Sequence, residues 1–293
     1  MDFLSQIING LGIGSIYALV ALGYSMVYGI VQLINFAHGD IIMVGAYVTY
    51  VVLVVAGAPL WVAILASILF CTFAGVLIER VAYRRLLNMN APRISLLITA
   101  IGVSIFLENL SQLLFTSSGK SMPNLFPNQL LGLGEVQISS ISLINISTSV
   151  ILMVLLQILV NKTKIGKAMR ATSEDADAAK LMGINTNTTI AFTFGIGSAL
   201  AAVGAVLYCS AYPMITPYMG GMLGLKAFVA AVLGGIGSIP GAMLGGYLIG
   251  IAESLTKAAG GSQITDAVVF GILIIILLFK PAGLLGKNVQ EKV

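Results

Sequence analysis

Apolar residues fill this chain in long runs, and the polar residues between them gather in a few short islands. A membrane span needs about 20 apolar residues, and residues 3–22 form the first such run, with Gly10 and Gly14 on one small-residue face. Residues 24–50 are apolar but interrupted by Gln32, Asn35, His38, Gly39 and Asp40. Two clear runs follow, 60–80 and 94–115, the second carrying Glu108, Asn109 and Gln112 in its later half. Residues 116–140, with Pro123 and Pro127, read as a loop. A run over 141–160 leads into the longest polar island, 161–190, and a Gly- and Ala-rich run over 190–212 leaves it. Residues 223–255 are apolar but broken from Gly234 to Gly241, and 263–279 is the last run, closed by Lys280-Pro281.

The basic residues orient these runs, because Lys and Arg collect on the cytoplasmic side. If residues 223–255 dip into the membrane and return to the outer side, Arg80, Arg84, Arg85, Arg93, Lys162, Lys164, Lys167, Arg170, Lys180, Lys280, Lys287 and Lys292 are cytoplasmic. Only Lys120, Lys226 and Lys257 are then outside, a split of 12 to 3. A full crossing gives 10 to 5, so the re-entrant reading is preferred. Residues 24–50 share that anatomy: Ala37-His38-Gly39 leads to Gly45-Ala46-Tyr47 much as Ile239-Pro240-Gly241 leads to Gly245-Gly246-Tyr247, one residue out of step. Paired interrupted segments mark a transport pathway. The expectation is an all-α polytopic membrane protein of about eight hydrophobic segments, six full spans plus two broken or re-entrant helices, with both termini cytoplasmic. It is a single domain over 1–293, in which 161–190 is a cytoplasmic loop.

Composition agrees with this and narrows the function. Of 293 residues, 58% are hydrophobic and 9% charged, against about 25% charged in a soluble domain; mean hydropathy is +1.02. The net charge of +4 is read as cytoplasmic-loop charge, with no nucleic-acid partner. Cys71 and Cys209 lie far apart in apolar runs and read as packing residues. The first run begins at Phe3 without a basic segment before it and is expected to be retained as an anchor. Gly119-Lys120-Ser121 ends like a phosphate loop, but the glycine required five residues before Gly119 is Leu114. One His and two distant Cys leave no metal cluster, and no nucleophile elbow is present. The chain reads as a non-enzyme that binds no cofactor, so any ATP that drives it, with its Mg, belongs to another polypeptide.

Ionisable groups at membrane depth are costly and suggest function. Glu108 has two open readings, a pathway group or an interhelix hydrogen bond. Asn35, His38, Gly39 and Asp40 are either pathway groups or helix caps. Gly234, Gly235 and Gly237 are further pathway candidates, contributing backbone freedom rather than side-chain chemistry, and the glycines after them give close helix packing. In the polar island, Lys162, Lys164, Lys167 and Arg170 read as topology anchors. A short helix over 174–182 is expected, capped by Thr172 or Ser173, with Glu174, Asp175 and Asp177 at its positive end and Gly183 as its stop. Ala178, Leu181 and Met182 form an apolar stripe on it. That stripe suits a groove on a partner, the inner leaflet, or the protein's own spans.

These stretches carry a resemblance that runs essentially end to end. GYSMVYGIVQLINFAHGD (23–40), IERVAYR (78–84), GKAMRATSEDADAAKLMGIN (166–185), KAFVAAVLGGIGSIPGAMLGG (226–246) and the closing KPAGLLG (280–286) resemble the LivH-type permease subunits of bacterial branched-chain amino acid ABC importers. The resemblance implies an ABC importer permease fold in the bacterial inner membrane. It implies a coupling helix that docks into an ATPase, with Asp177-Ala178-Ala179 and Gly183 matching the family's acidic-Ala-Ala-to-Gly pattern and Asp replacing the usual Glu. Glu174, Asp175, Asp177, Ala178, Ala179, Leu181, Met182 and Gly183 are the implied coupling residues. The implied partners are a second homologous permease in a heterodimer, two ATP-binding cassette ATPases, a periplasmic amino-acid-binding protein and membrane lipid. The implied cargo is Leu, Ile or Val. The competing reading is a stand-alone secondary transporter or facilitator with Glu108 or His38 as proton relay.

Overall fold

The computed structural model describes residues 3–32, 34–89, 91–133 and 136–286. Its helices are α1 (Phe3–Val31), α2 (His38–Tyr50), α3 (Leu60–Ile78), α4 (Arg84–Asn88), α5 (Arg93–Phe115), α6 (Ser140–Lys162), α7 (Lys164–Glu174), α8 (Ala176–Leu181), α9 (Thr186–Ala211), α10 (Met219–Gly234), α11 (Ile239–Ala258) and α12 (Thr265–Phe279). A π turn over Val51–Val55 extends α2, and another over Glu79–Tyr83 joins α3 to α4. Short strands stand between helices: β1 (Lys120–Ser121) pairs antiparallel with β4 (Met214–Ile215), and β2 (Leu130–Leu133) with β3 (Val136–Ser139). Among the described residues, seven helical stretches are long and apolar enough to cross a membrane: Phe3–Val31, His38–Val55, Leu60–Asn88, Arg93–Phe115, Ser140–Lys162, Thr186–Ala211 and Ser262–Phe279. Met219–Gly234 is a shorter apolar helix. The protein is thus an all-α polytopic membrane protein, as its pattern predicts.

Chain direction gives the two faces of the bundle. Arg80, Arg84, Arg85, Arg93, Lys162, Lys164, Lys167, Arg170, Lys180 and Lys280 gather where α4, α6 and α12 end and α5, α7 and α9 begin; this is the inner face. Lys287 and Lys292 lie outside the described residues. As expected, residues 223–255 enter from the outer side and return to it, because α10 and α11 form a hairpin whose turn faces inward. Lys226 near its start and Lys257 near its end both reach Glu253, at 3.4 and 2.7 Å.

The N-terminal quarter differs from the sequence reading. Nothing at Leu22-Gly23-Tyr24 stops a helix, and α1 runs 29 residues to Val31 before the chain turns at Gln32, with φ +52°. Residues 3–22 and 24–50 are therefore one long helix and one shorter helix after it. At its beginning α1 lies on the outer side: Gly12 packs on Ser142 in the first turn of α6, and Ser254, near the end of α11, donates to the Gln6 carbonyl (2.8 Å). At its other end, Arg93 donates to the Gln32 side chain (2.7 Å). The first described residue is on the outer face, not the cytoplasmic one, and no Lys or Arg precedes residue 80 to reveal it in sequence.

This direction exposes an inverted repeat. α1, α2 and α3 run inward, outward and inward; α9, α10 and α11 run outward, inward and outward. In each set the first helix is followed by an irregular stretch, with described residues 32 and 34–37 or 212–218, and a second helix that starts inside the bundle. Gly39 with Ala46-Tyr47-Val48 in α2 matches Gly220 with Ala227-Phe228-Val229 in α10. The structural counterpart of the first break is therefore 212–218. The Gly234-to-Gly241 break is the turn between α10 and α11, equivalent to the α2–α3 connection, so the sequence pairing matched the wrong interruptions.

α1 and α9 form the buried centre, and α3, α5, α6 and α12 present exposed apolar faces. The tightest seam joins α1 to α11. A Cβ on Gly14 would lie 2.8 Å from the Gly246 carbonyl, and one on Gly250 would overlap the Gly14 backbone. Close backbone approach lets van der Waals contact replace the absent hydrophobic drive between helices in lipid. Cys71 and Cys209 are both buried and free, as packing residues. Replacing Gly250 with Leu should destabilise the fold by about 3 kcal/mol or more, read as a lower melting temperature in detergent than for Gly271→Leu, where a side chain meets open space.

Candidate functional site

The first turns of α2 and α10 cross inside the bundle, and glycine makes the crossing possible. A Cβ on Gly224 would lie 2.7 Å from the Gly39 Cα, and one on Gly220 would lie 2.7 Å from Oδ1 of Asp40. The His38 ring rests on Gly23, eight residues before α1 ends, which puts it about 12 Å from the inner end of that helix. Two helix N-termini, each with free amides and partial positive charge, thus face one another at membrane depth. Irregular backbone is stable at such a depth only when protein encloses it or it lines a cavity.

Four expected pathway residues meet here. Asp40 sits in the first turn of α2, where the helix dipole favours its charge. It is 1% exposed, and neither carboxylate oxygen makes a hydrogen bond, although Ser104 and Glu108 of α5 face it. Glu108 is half-buried and points its Oε1 at Gly221, 3.7 Å from where a Cβ would stand. His38 is 2% exposed, meets Tyr24 edge-on at 4.8 Å, and leaves Nε2 unbonded. Gly39 provides the crossing. Asn35 lies below, where its Oδ1 accepts from the Tyr83 hydroxyl (2.9 Å). Helix capping does not account for Asn35 and His38: the residue before α2 is Ala37, with no side-chain cap. Tyr24, Ser104, Gly220 and Gly221 complete the junction. Sequence reading missed them because their signal is the Gly39/Gly220 correspondence, legible only once the repeat is registered.

Gly234, Gly235 and Gly237 are elsewhere. They form the α10–α11 turn, where Gly235 (φ +105°) and Gly237 (φ +89°) need left-handed backbone. The Gly237 amide donates to Ser25 Oγ at 2.9 Å. The amides of Leu284 and Leu285 donate to the carbonyls of Leu233 and Gly234, both at 2.9 Å. The tail after α12 is thereby pinned to this turn. Among the described residues no group of three or more His, Cys, Asp or Glu could hold a metal ion.

The second region is the inner loop. Thr163 caps α7 by accepting from the Gly166 amide (3.0 Å), and Met169 is buried against the bundle. The expected helix is shorter than read, Ala176–Leu181, and its cap is Asp175, whose carboxylate accepts from the amides of Asp177 (2.9 Å) and Ala178 (3.0 Å). Thr172 and Ser173 sit inside α7 and bond back to Ala168 and Arg170 instead, and Glu174 ends α7. Asp175, one residue later, is the stronger cap because its extended backbone aims the carboxylate at two free amides. Gly183 is the stop, at φ +83°. Ala179 faces inward and buried, while Leu181 and Met182 stand 90% and 82% exposed.

A third cluster, at the outer end, was not singled out in the sequence. Glu253 on α11, 3% exposed, accepts from Tyr17 of α1 (2.7 Å) and pairs with Lys257 (2.7 Å) and with Lys226 of α10 (3.4 Å). Lys226 also pairs with Asp266 of α12 (2.8 Å) and lies 5.9 Å from the centre of the Tyr17 ring. Four helices are tied at one point.

Comparison with known proteins adds identity to this geometry. Residues 6–278 match the family described as branched-chain amino acid transport system / permease component. The chain is 45% identical over 303 residues to the high-affinity branched-chain amino acid transport system permease protein BraD of Pseudomonas aeruginosa, covering 99% of this chain and 98% of that protein. It is 45% identical, with the same coverage, to the similarly described LivH of Escherichia coli K12. It is 31% identical over 288 residues to the probable branched-chain amino acid transport permease protein LivH of Methanocaldococcus jannaschii, covering 93% and 89%.

The outer cluster makes a graded prediction. Tyr17→Phe removes one hydrogen bond and should cost about 1 kcal/mol. Glu253→Ala strands the lysines around it and should cost about 3 kcal/mol. Thermal unfolding of the two purified variants should preserve that order.

Proposed function

The chain belongs to the family of branched-chain amino acid transport system permeases, and from that premise we propose that it is the membrane-spanning permease subunit of an ATP-binding cassette importer in the bacterial inner membrane, moving leucine, isoleucine or valine into the cell. The observation that carries this reading is the match, over nearly the whole of both chains, to proteins named as branched-chain amino acid permeases. The chain itself is no enzyme in this reading and binds no cofactor. ATP and its Mg ion sit on two partner ATPases, a second homologous permease completes a heterodimer, and a periplasmic binding protein delivers the amino acid.

Two places in the chain divide the work. The coupling element is α8 with its flanks, Glu174, Asp175, Asp177, Ala178, Ala179, Leu181, Met182 and Gly183. An uncovered Leu181–Met182 tip beyond a capped helix of six residues supports docking into a soluble partner, because so short a helix gains its stability from packing. The pathway runs past the α2–α10 junction, where His38, Gly39, Asp40 and Glu108 meet Gly220 and Gly221, with Asn35 on its inner side. The buried Asp40 and half-buried Glu108 carboxylates beside two helix N-termini offer both signs of charge to a zwitterion. α7 packs between the coupling element and the inner ends of α1 and α9, so movement at α8 reaches the two helices that lead into the junction. Gly234, Gly235 and Gly237 serve as the pivot of the α10–α11 turn.

Reconstitution with the ATPases and binding protein tests the reading. Leu181→Asp with Met182→Asp should weaken ATPase association by roughly thirtyfold and abolish leucine uptake while membrane insertion stays normal. Gly183→Val, strained at its positive φ, should do the same. Normal uptake in both variants contradicts the coupling role. Uptake driven by a proton gradient with no ATPase present contradicts the importer and favours a relay through His38 or Glu108.

A further inference from the structure

We propose that the groove bounded by α2, α3 and α5 holds one acyl chain of an anionic phospholipid of the inner leaflet, with Arg80 and Arg85 at its phosphate. The groove is a cavity of about 640 Å³, separate from the α2–α10 junction and from the coupling loop. Its walls are carbon over almost their whole length, from Leu77, Val81 and Ala82 near the inner face, past Phe70 at mid-depth, to Leu114 and Phe115 toward the outer end. Its polar side chains, Tyr47 and Ser111, sit toward the outer end. The outward faces beside it, with Leu69, Phe73, Ile105 and Leu113, are exposed and apolar, so the groove is continuous with surface that lipid must cover.

Length and charge select the occupant. The part of the lining that reaches the inner face, from mid-depth Phe70 to Ala82 on α3 and its π turn, is about 18 Å long, close to the ~15 Å hydrocarbon depth of a single leaflet. On α5 the lining continues from mid-depth Val103 toward the outer face at Phe115. The groove lining on α3 and the π turn ends with Leu77, Ile78, Val81 and Ala82, with Arg80 between them in sequence and Arg85 three residues beyond, at the inner face. Both arginines are exposed, and among the described residues neither has a hydrogen-bond or ion-pair partner. Arg84 differs: it is committed to Glu79 at 2.6 Å. Free basic residues at the inner end of an interhelix slot are the arrangement that selects anionic headgroups, and a dry apolar run of leaflet depth leading away from them is the arrangement that takes an acyl chain.

The test uses the full chain, purified from bacterial membranes and reconstituted in phosphatidylcholine vesicles. A minor fraction of phosphatidylglycerol carries a diazirine on one acyl chain; parallel vesicles carry the same label on phosphatidylcholine. After illumination, peptide mapping should find adducts on Phe70, Leu107 or Leu110, at higher yield from phosphatidylglycerol. Arg80→Gln and Arg85→Gln should lower that yield by roughly fivefold each while leaving phosphatidylcholine labelling unchanged. Ala74→Trp should remove the groove adducts by filling the slot, and Leu110→Trp fills it from the other wall should the first variant fail to fold. Equal labelling by the two lipids, or insensitivity to both arginine variants, overturns the anionic site. A Leu110→Cys cross-link to a second permease subunit in the assembled importer overturns it as well, by making the groove a protein interface.

Discussion

A helix that begins in the middle of a membrane leaves free amides where no water can reach them, and enclosing those amides is the constraint on which this structure depends. α2 and α10 both begin so. Each N-terminus is covered by the other, and the two can cross closely because Gly39, Gly220 and Gly224 present bare backbone. The long helices α1 and α9 flank the crossing and are buried along most of their length. The close packing of α1 on both neighbours, Gly23 against Gly197 of α9 and Gly14 against Gly246 and Gly250 of α11, follows from the need to keep that centre dry. The peripheral helices α3, α5, α6 and α12 carry the lipid-facing surface and few buried residues.

The same constraint places the chemistry. Asp40 lies where two helix dipoles converge, an environment that tolerates a buried carboxylate without a basic partner, and Glu108 approaches it from α5, a helix held more loosely than the central ones. The charges at the other levels are arranged differently. At the outer end Glu253 gathers Tyr17, Lys226 and Lys257 into a paired network. Among the described cations of the inner face, Arg84, Arg93, Lys180 and Lys280 have partners and the other six have none, and the exposed apolar tip of α8 hangs below them. A transport subunit needs such a division: a fixed outer knot, an unsatisfied centre and an uncovered handle on the side of its energy source.

The all-α polytopic character, the inner loop and the stop at Gly183 were legible from apolar run lengths and basic residues, because both signals are local. The return of residues 223–255 to the outer side was legible for the same reason, through Lys226 and Lys257. The direction of α1 was not, since no basic residue stands before Arg80. The pairing of the breaks was misread because Gly234 to Gly241 is the more conspicuous glycine run. The break that matters, 212–218, is marked by Pro213, Pro217 and two tyrosines. His38, Asp40 and Glu108 were singled out by their cost in a membrane, and the structure brings them together; Gly220 and Gly221 were lost in a glycine-rich background; Glu253 was passed over because its partners are distant in sequence. Asp175 was displaced as the cap by Thr172 and Ser173, whose side chains turned back into α7.

α1 runs inward from the outer face, and that direction makes α1–α3 and α9–α11 inverted halves and brings the two helix N-termini together. Leu4 is exposed at the start of α1, and the native Cys71 and Cys209 are buried and silent. A membrane-impermeant maleimide applied to intact spheroplasts should label Leu4→Cys and leave Leu181→Cys unlabelled until the membrane is opened. Labelling of Leu4→Cys only after permeabilisation would contradict the inverted repeat and the junction built on it.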